Sequence, residues 1–189
     1  MSQQQLLKRV VAELQRLAIE YMVTGSHVSS LQGAPRSTHD VDFVIAMPGS
    51  ATVDLARAFP PPEFYLDEQS IRDALNGLGQ FNLIHVNEGD KVGFWLLTDD
   101  PYDQVRFDRR RVVTIDGMAV AVSTPEDTIL QKLRWATTGG GFSEKQFKDA
   151  LSVYELQSRQ LDIAYMDRWA PKIGVTEHWN RLKAEARPL

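Results

Sequence analysis

Cysteine is absent from this chain, which excludes disulfides, thiolate catalysis and cysteine-ligated zinc. No apolar run reaches the roughly 20 residues that a membrane-spanning helix needs. The start, Met1-Ser2-Gln3-Gln4-Gln5, lacks the basic stretch and apolar core of a secretion signal. The expected location is therefore the cytoplasm, with no membrane partner. An excess of positive charge is missing too: 21 basic residues against 25 acidic ones leave a net charge of −4. A surface that grips long nucleic acid over its whole extent is usually basic, so any such contact falls to a local patch. Arg109-Arg110-Arg111, with Arg106 upstream, is the densest basic run and reads first as a solvated approach to a hairpin. None of His27, His39, His85 and His178 stands at a ligand spacing such as H-x-x-x-H, which argues against a zinc site. Repeats and low-complexity segments are absent as well.

What is present is enough for one core. The chain has 189 residues, 43% of them hydrophobic, sufficient for a single domain or a core with a small helical appendage. Leu6, Leu7, Val10, Val11, Leu14, Leu17 and Ala18 recur at helical spacing and predict a helix over 3–20. Strands are expected at 21–24 and 41–46, and a short helix at 51–58. Asn87-Glu88-Gly89-Asp90 joins apolar runs at 81–86 and 91–97 in a hairpin; a second hairpin turns at Asp116-Gly117. Thr124-Pro125-Glu126-Asp127 offers a hydroxyl cap, a first-turn proline and first-turn acids. Helices follow at about 125–136, 143–157, 161–170 and 175–186, with Gly139-Gly140-Gly141 as a connector. Trp135, Trp169 and Trp179 read as core packing in that tail. The fold class is α/β (α+β): one domain over 1–189, with an α/β core at 1–123 and a helical C-terminal subregion at 124–189.

The residues that point to chemistry are Gly25-Ser26 and Asp40-Val41-Asp42. Two residues apart on a strand, Asp40 and Asp42 face the same side with Cα atoms roughly 7 Å apart. Paired carboxylates repel unless a cation lies between them, and Mg²⁺ prefers carboxylate and phosphate oxygens. Gly25 ends a strand where the backbone turns tightly. Ser26, at the start of a short helix, offers a hydroxyl and a backbone N–H to a phosphate.

Tyr21-Met22-Val23-Thr24-Gly25-Ser26, followed by Arg36-Ser37-Thr38-His39-Asp40-Val41-Asp42-Phe43-Val44-Ile45, resembles the signature of the nucleotidyltransferase (polymerase-β-like) superfamily. Thr124-Pro125-Glu126-Asp127 with Lys132, and then Lys148-Asp149, further resemble the tail of small bacterial proteins related to AbiEii-type toxins. The resemblance implies a mixed sheet flanked by helices and transfer of NMP from an NTP to a hydroxyl on RNA, protein or a small molecule. Mg²⁺, with Mn²⁺ as an alternative, would be the cofactor. It further implies metal-holding, catalytic roles for Asp40 and Asp42, and nucleotide contacts from Gly25, Ser26, Arg36, Thr38, Lys132 and Asp149. One departure stands out. Relatives place a third carboxylate on a later strand, in a setting like "K-V-D-L-F", where this chain has Lys91-Val92-Gly93-Phe94-Trp95. Glycine can neither hold a metal nor take a proton. A nucleotide-binding module without catalysis is the alternative this implies, and His85 or Asp149 are the candidate replacement bases.

Overall fold

The computed structural model of the chain describes residues 1–36, 40–138 and 141–187. In chain order its elements are α1 (Gln3–Arg16), β1 (Glu20–Thr24), α2 (Gly25–Gln32), β2 (Asp40–Ala46), α3 (Thr52–Ala58), β3 (Phe64–Tyr65) and α4 (Glu68–Asp73). Then come β4 (Gln80–His85), β5 (Lys91–Leu96), α5 (Pro101–Asp108), β6 (Arg111–Ile115) and β7 (Met118–Val122). Four helices complete the chain: α6 (Pro125–Ala136), α7 (Glu144–Gln157), α8 (Ile163–Lys172) and α9 (Thr176–Glu185). They group into two compact units, Met1–Thr24 with Thr38–Val122, and Gly25–Ser37 with Ser123–Leu189. The first carries all the strands listed above. The second is helical, and α2 belongs to it although it lies between β1 and β2 in sequence.

The sheet of the first unit runs β3-β4-β5-β2-β1-β7-β6. It is mixed: β2 lies parallel to β5 and β1 parallel to β7, while the other neighbours are antiparallel. One face is built from Tyr21, Phe43, Phe94 and Phe81, whose successive ring centroids lie 6.0, 5.6 and 4.9 Å apart. Leu6, Leu7, Val10, Val11 and Leu14 of α1 are buried in this unit's core, each worth about 1.5–3 kcal/mol relative to exposure. The opposite face changes character along its length. At one end Met22 and Val44 pack with Phe107 of α5, flanked by Ala46, Trp95 and Leu97. At the other end the same rows carry Thr24, Asp42, Gly93 and Asn82.

Helix α1 stops at Arg16, short of the expected end near residue 20. Leu17 and Ala18 continue the apolar spacing, but Ala18 turns left-handed, at φ 53°. There the N–H of Ile19 donates to the Leu14 carbonyl at 2.9 Å and that of Ala18 to Gln15 at 3.1 Å. This is a Schellman ending, which normally has glycine at the left-handed position. Ala18→Gly is therefore expected to stabilise the protein by about 1 kcal/mol. A thermal melt should rise by roughly 2–4 °C; a lower melting temperature would contradict that account.

In the second unit, the cap foreseen for α6 is present: Thr124 Oγ1 accepts from the Asp127 N–H at 3.2 Å, and Pro125 opens the helix. The two first-turn acids have a further job. Asp127 accepts a 2.6 Å hydrogen bond from the Tyr165 hydroxyl, and Glu126 accepts from the Asp162 N–H at 3.1 Å. Both are buried and tie α6 to α8. Trp179 is buried as expected, with its indole N–H donating to Asp167 at 2.7 Å. Trp135 is not, being 39% exposed. The packed face of α6 follows Ile129, Leu130, Leu133 and Ala136, and helical spacing puts position 135 off it.

Candidate functional site

In the first unit, β2 puts Asp40 and Asp42 on one face, Asp40 exposed and Asp42 half-buried. The strand forms because Val41, Phe43 and Ile45 alternate with them and are fully buried on the other side. The parallel register sets Asp40 opposite Lys91 and Asp42 opposite Gly93. A Cβ at residue 93 would come within 2.8 Å of Asp42 Oδ1, with Trp95 Nε1 at 3.7 Å and Asn82 Oδ1 at 3.9 Å. The space that a side chain at 93 would enter is thus taken by the Asp42 carboxylate. Among the described residues, no group of three or more His, Cys, Asp or Glu side chains is placed to hold a metal ion. Asp40 and Asp42 do suit Mg²⁺, which binds through one or two carboxylates together with substrate phosphates and water.

In the second unit, Ser26, Arg36, Lys132 and Asp149 converge. Ser26 Oγ accepts from Arg36 Nη2 at 2.8 Å and from Lys132 Nζ at 3.2 Å. Asp149 accepts from Arg36 Nε at 3.0 Å and Nη2 at 2.8 Å, and from Lys132 Nζ at 2.8 Å. The Arg36 contact is a two-pronged fork onto one carboxylate, the strong geometry for this pair. Burial raises the Asp149 pKa, but the hydrogen bonds and charges of Arg36 and Lys132 outweigh it and hold the carboxyl below its ordinary value. Gly25, with φ at 71°, makes the left-handed turn that starts α2. These four side chains, up to 123 positions apart in sequence, are four of the six residues that the nucleotide expectation named.

Residues that the sequence did not single out hold Arg36 in place. Ser30 Oγ both donates to the Arg36 carbonyl at 2.9 Å and accepts from its N–H at 2.8 Å. Ser152 of α7 accepts from the Ala34 N–H at 2.6 Å, and Gln157 donates to the Gln32 carbonyl at 2.9 Å. Serine and glutamine carry no distinctive pattern, so only the packing of α2 on α7 exposes them. Thr38, expected to contact the nucleotide, and His39 lie outside the described residues. His85 fails as a substitute base. Its side chain is buried on the opposite face of the sheet from Asp42, 5.5 Å between ring centroids from Phe64. Asp149, the other candidate, is committed to Arg36 and Lys132.

No family model matches the chain, and no curated protein matches it in sequence. Solved structures do match. ANT(2'')-Ia in complex with adenylyl-2''-tobramycin gives a TM-score of 0.61 at 13% identity, over 92% of this chain and 98% of that one. The solution structure of the antibiotic-resistance factor ANT(2'')-Ia gives 0.57 at 12% identity, over 95% and 97%. An antigenic nucleotidyltransferase-like protein from Paracoccidioides brasiliensis gives 0.54 at 19% identity, over 97% and 93%. The fold is nucleotidyltransferase-like. At these identities the likeness is one of fold. Among the described residues, no helix is long and apolar enough to cross a membrane.

Proposed function

We propose that this protein binds a nucleoside triphosphate with Mg²⁺ and transfers its NMP to a hydroxyl on an RNA, protein or small-molecule acceptor. The observation that carries this reading is the convergence of Arg36 and Lys132 on the Ser26 hydroxyl at the start of α2. Two fixed cations, a hydroxyl and a helix N-terminus form an anion site suited to a polyphosphate. Asp40 and Asp42 would hold the cation, Mg²⁺ or Mn²⁺, on the face they share. When bound, it would neutralise charge on the phosphates. Ser26, Arg36 and Lys132 would bind the phosphates that leave, while Asp149 keeps the two cations aimed. Gly25 gives the turn its close backbone approach, and Thr38 is retained as a nucleotide contact on the sequence match alone. In the reaction the acceptor oxygen bonds to the α-phosphorus as the bond from that phosphorus to the bridging oxygen breaks. Pyrophosphate departs and the hydroxyl proton passes to water.

Gly93 favours a second reading, in which the nucleotide is bound and not transferred. No proton-accepting side chain stands at that position, and Asp42 occupies its space. Kinship with AbiEii-type toxins belongs to the proposal too, supported by the sequence matches at Thr124–Asp127, Lys132 and Lys148-Asp149. We place 1–123 and 124–189 within one working domain for the same reaction.

Thermal unfolding with each NTP, with and without Mg²⁺, tests both readings on wild type and Asp42→Ala. Ligand at 100 times its dissociation constant adds about 2.7 kcal/mol, a shift of roughly 5–11 °C for a chain of this size. The expected shift depends on the metal and disappears in Asp42→Ala. No shift with any nucleotide would overturn both readings. A shift without label transfer from α-³²P NTP would select the second.

A further inference from the structure

We propose that Asn82 supplies an oxygen ligand to the divalent cation, in the place that a carboxylate at position 93 would have served. The inference deepens the reading that Asp40 and Asp42 hold that cation, and it rests on it. Three strands bring the relevant atoms into one row. Asp42 on β2 is the register partner of Gly93 on β5, and Gly93 is the register partner of Asn82 on β4. Directly paired residues share a face, so Asp42, Gly93 and Asn82 lie in line across the same side of the sheet.

The middle position of that row has no side chain. Asp42 Oδ1 sits 2.8 Å, and Asn82 Oδ1 3.9 Å, from the point where a Cβ at 93 would stand. Glycine lets the Asp42 carboxylate lie over β5, and from β4 the Asn82 amide oxygen flanks the same space. Both side-chain oxygens thus border the same point above β5, and both are hard oxygen donors of the kind Mg²⁺ accepts. Trp95 Nε1, 3.7 Å from the same point, is an N–H donor; it can orient an oxygen but cannot ligate a cation. Asn82 is exposed, and no hydrogen bond to another described residue engages its side-chain amide. Its carbonyl oxygen is free of the competing bonds that would hold it away from an ion.

The chemistry of this ligand differs from that of the acid it replaces. An amide oxygen is a hard, neutral donor of the kind Mg²⁺, Mn²⁺ and Ca²⁺ accept. It has no basicity near neutral pH. Asn82 thus supports cation binding and takes no proton, which separates binding from transfer at this position.

The experiment is a Mn²⁺ titration read by electron paramagnetic resonance, with each of the four α,β-methylene NTPs. It compares wild type, Asn82→Ala, Asn82→Asp and Asp42→Ala. Residue 82 is exposed, so neither change threatens the fold. Asn82→Ala is expected to weaken Mn²⁺ about tenfold, and Asn82→Asp to tighten it by a similar factor, since a carboxylate replaces a neutral oxygen. Wild-type binding that Asn82→Ala leaves unchanged, while Asp42→Ala abolishes it, overturns the role of Asn82 and leaves the carboxylate pair standing. No Mn²⁺ binding by wild type with any of the four analogues overturns both.

Discussion

Replacing Asp149 with alanine is expected to destabilise the protein by about 3–5 kcal/mol, because it removes a carboxylate paired with a buried lysine. Lys132 is only 4% exposed, and Asp149 at 2.8 Å is its anionic partner. Arg36, on the same carboxylate, is more open and can turn toward water. The loss should therefore arise mainly at Lys132. Urea unfolding measures it directly. Restoring the original charge balance by adding Lys132→Met to Asp149→Ala should recover most of the loss, since a buried ion pair replaced by apolar groups is often near neutral. A single-mutant loss below about 1 kcal/mol would mean that the Lys132 side chain reaches water more easily than its burial implies.

The same carboxylate predicts a pH dependence. Its folded-state pKa lies below the unfolded value, which is about 3.9 for aspartate. A depressed carboxyl contributes stability that is fully present above the unfolded value and is lost as pH falls through the folded one. Wild-type stability should accordingly decline below about pH 4. Asp149→Ala should show a smaller decline over that range, and equal slopes would remove the linkage.

Gly93→Asp should raise NMP transfer by about 100-fold if the missing carboxylate is what limits the reaction, the scale of a positioned general base. The backbone at 93 lies outside the left-handed region, so the obstacle is local and steric. The new Cβ would stand 2.8 Å from Asp42 Oδ1, and the Asp42 carboxylate must rotate away. Gly93→Ala isolates that clash, as it adds the Cβ without the acid. Alanine is expected to weaken Mg²⁺-dependent nucleotide binding and to leave transfer no higher than in wild type. Measured side by side with radiolabelled NTP, a gain confined to aspartate would identify the lost function as chemical. No gain with aspartate, in a protein that still binds nucleotide, would place the limit elsewhere.

Much of the scaffold is legible along the chain because its causes are local. Alternation of Val41, Phe43 and Ile45 with Asp40 and Asp42 puts both acids on one face whatever the strand pairs with. Thr124 and Pro125 announce α6 through their own backbone chemistry. Helix α1 ends short of its apolar spacing for an equally local reason: that spacing runs through Leu17 and Ala18, while the left-handed turn at Ala18 is made by a residue with no preference for it.

The sequence by itself determined the carboxylate pair, the Gly25-Ser26 turn, the two hairpins and the absence of an acid at position 93. Tertiary structure alone decided what surrounds them. The parallel pairing of β2 with β5 brings the β4–β5 hairpin, with Gly93 and Asn82, beside Asp42 across gaps of 40 residues or more. Such pairings are selected by the burial of whole sheet faces, which no short segment encodes. Likewise Arg36, Lys132 and Asp149 are ordinary charged residues in their own windows. They become one site because α2, α6 and α7 pack together, and a lysine buried there requires an anion within reach.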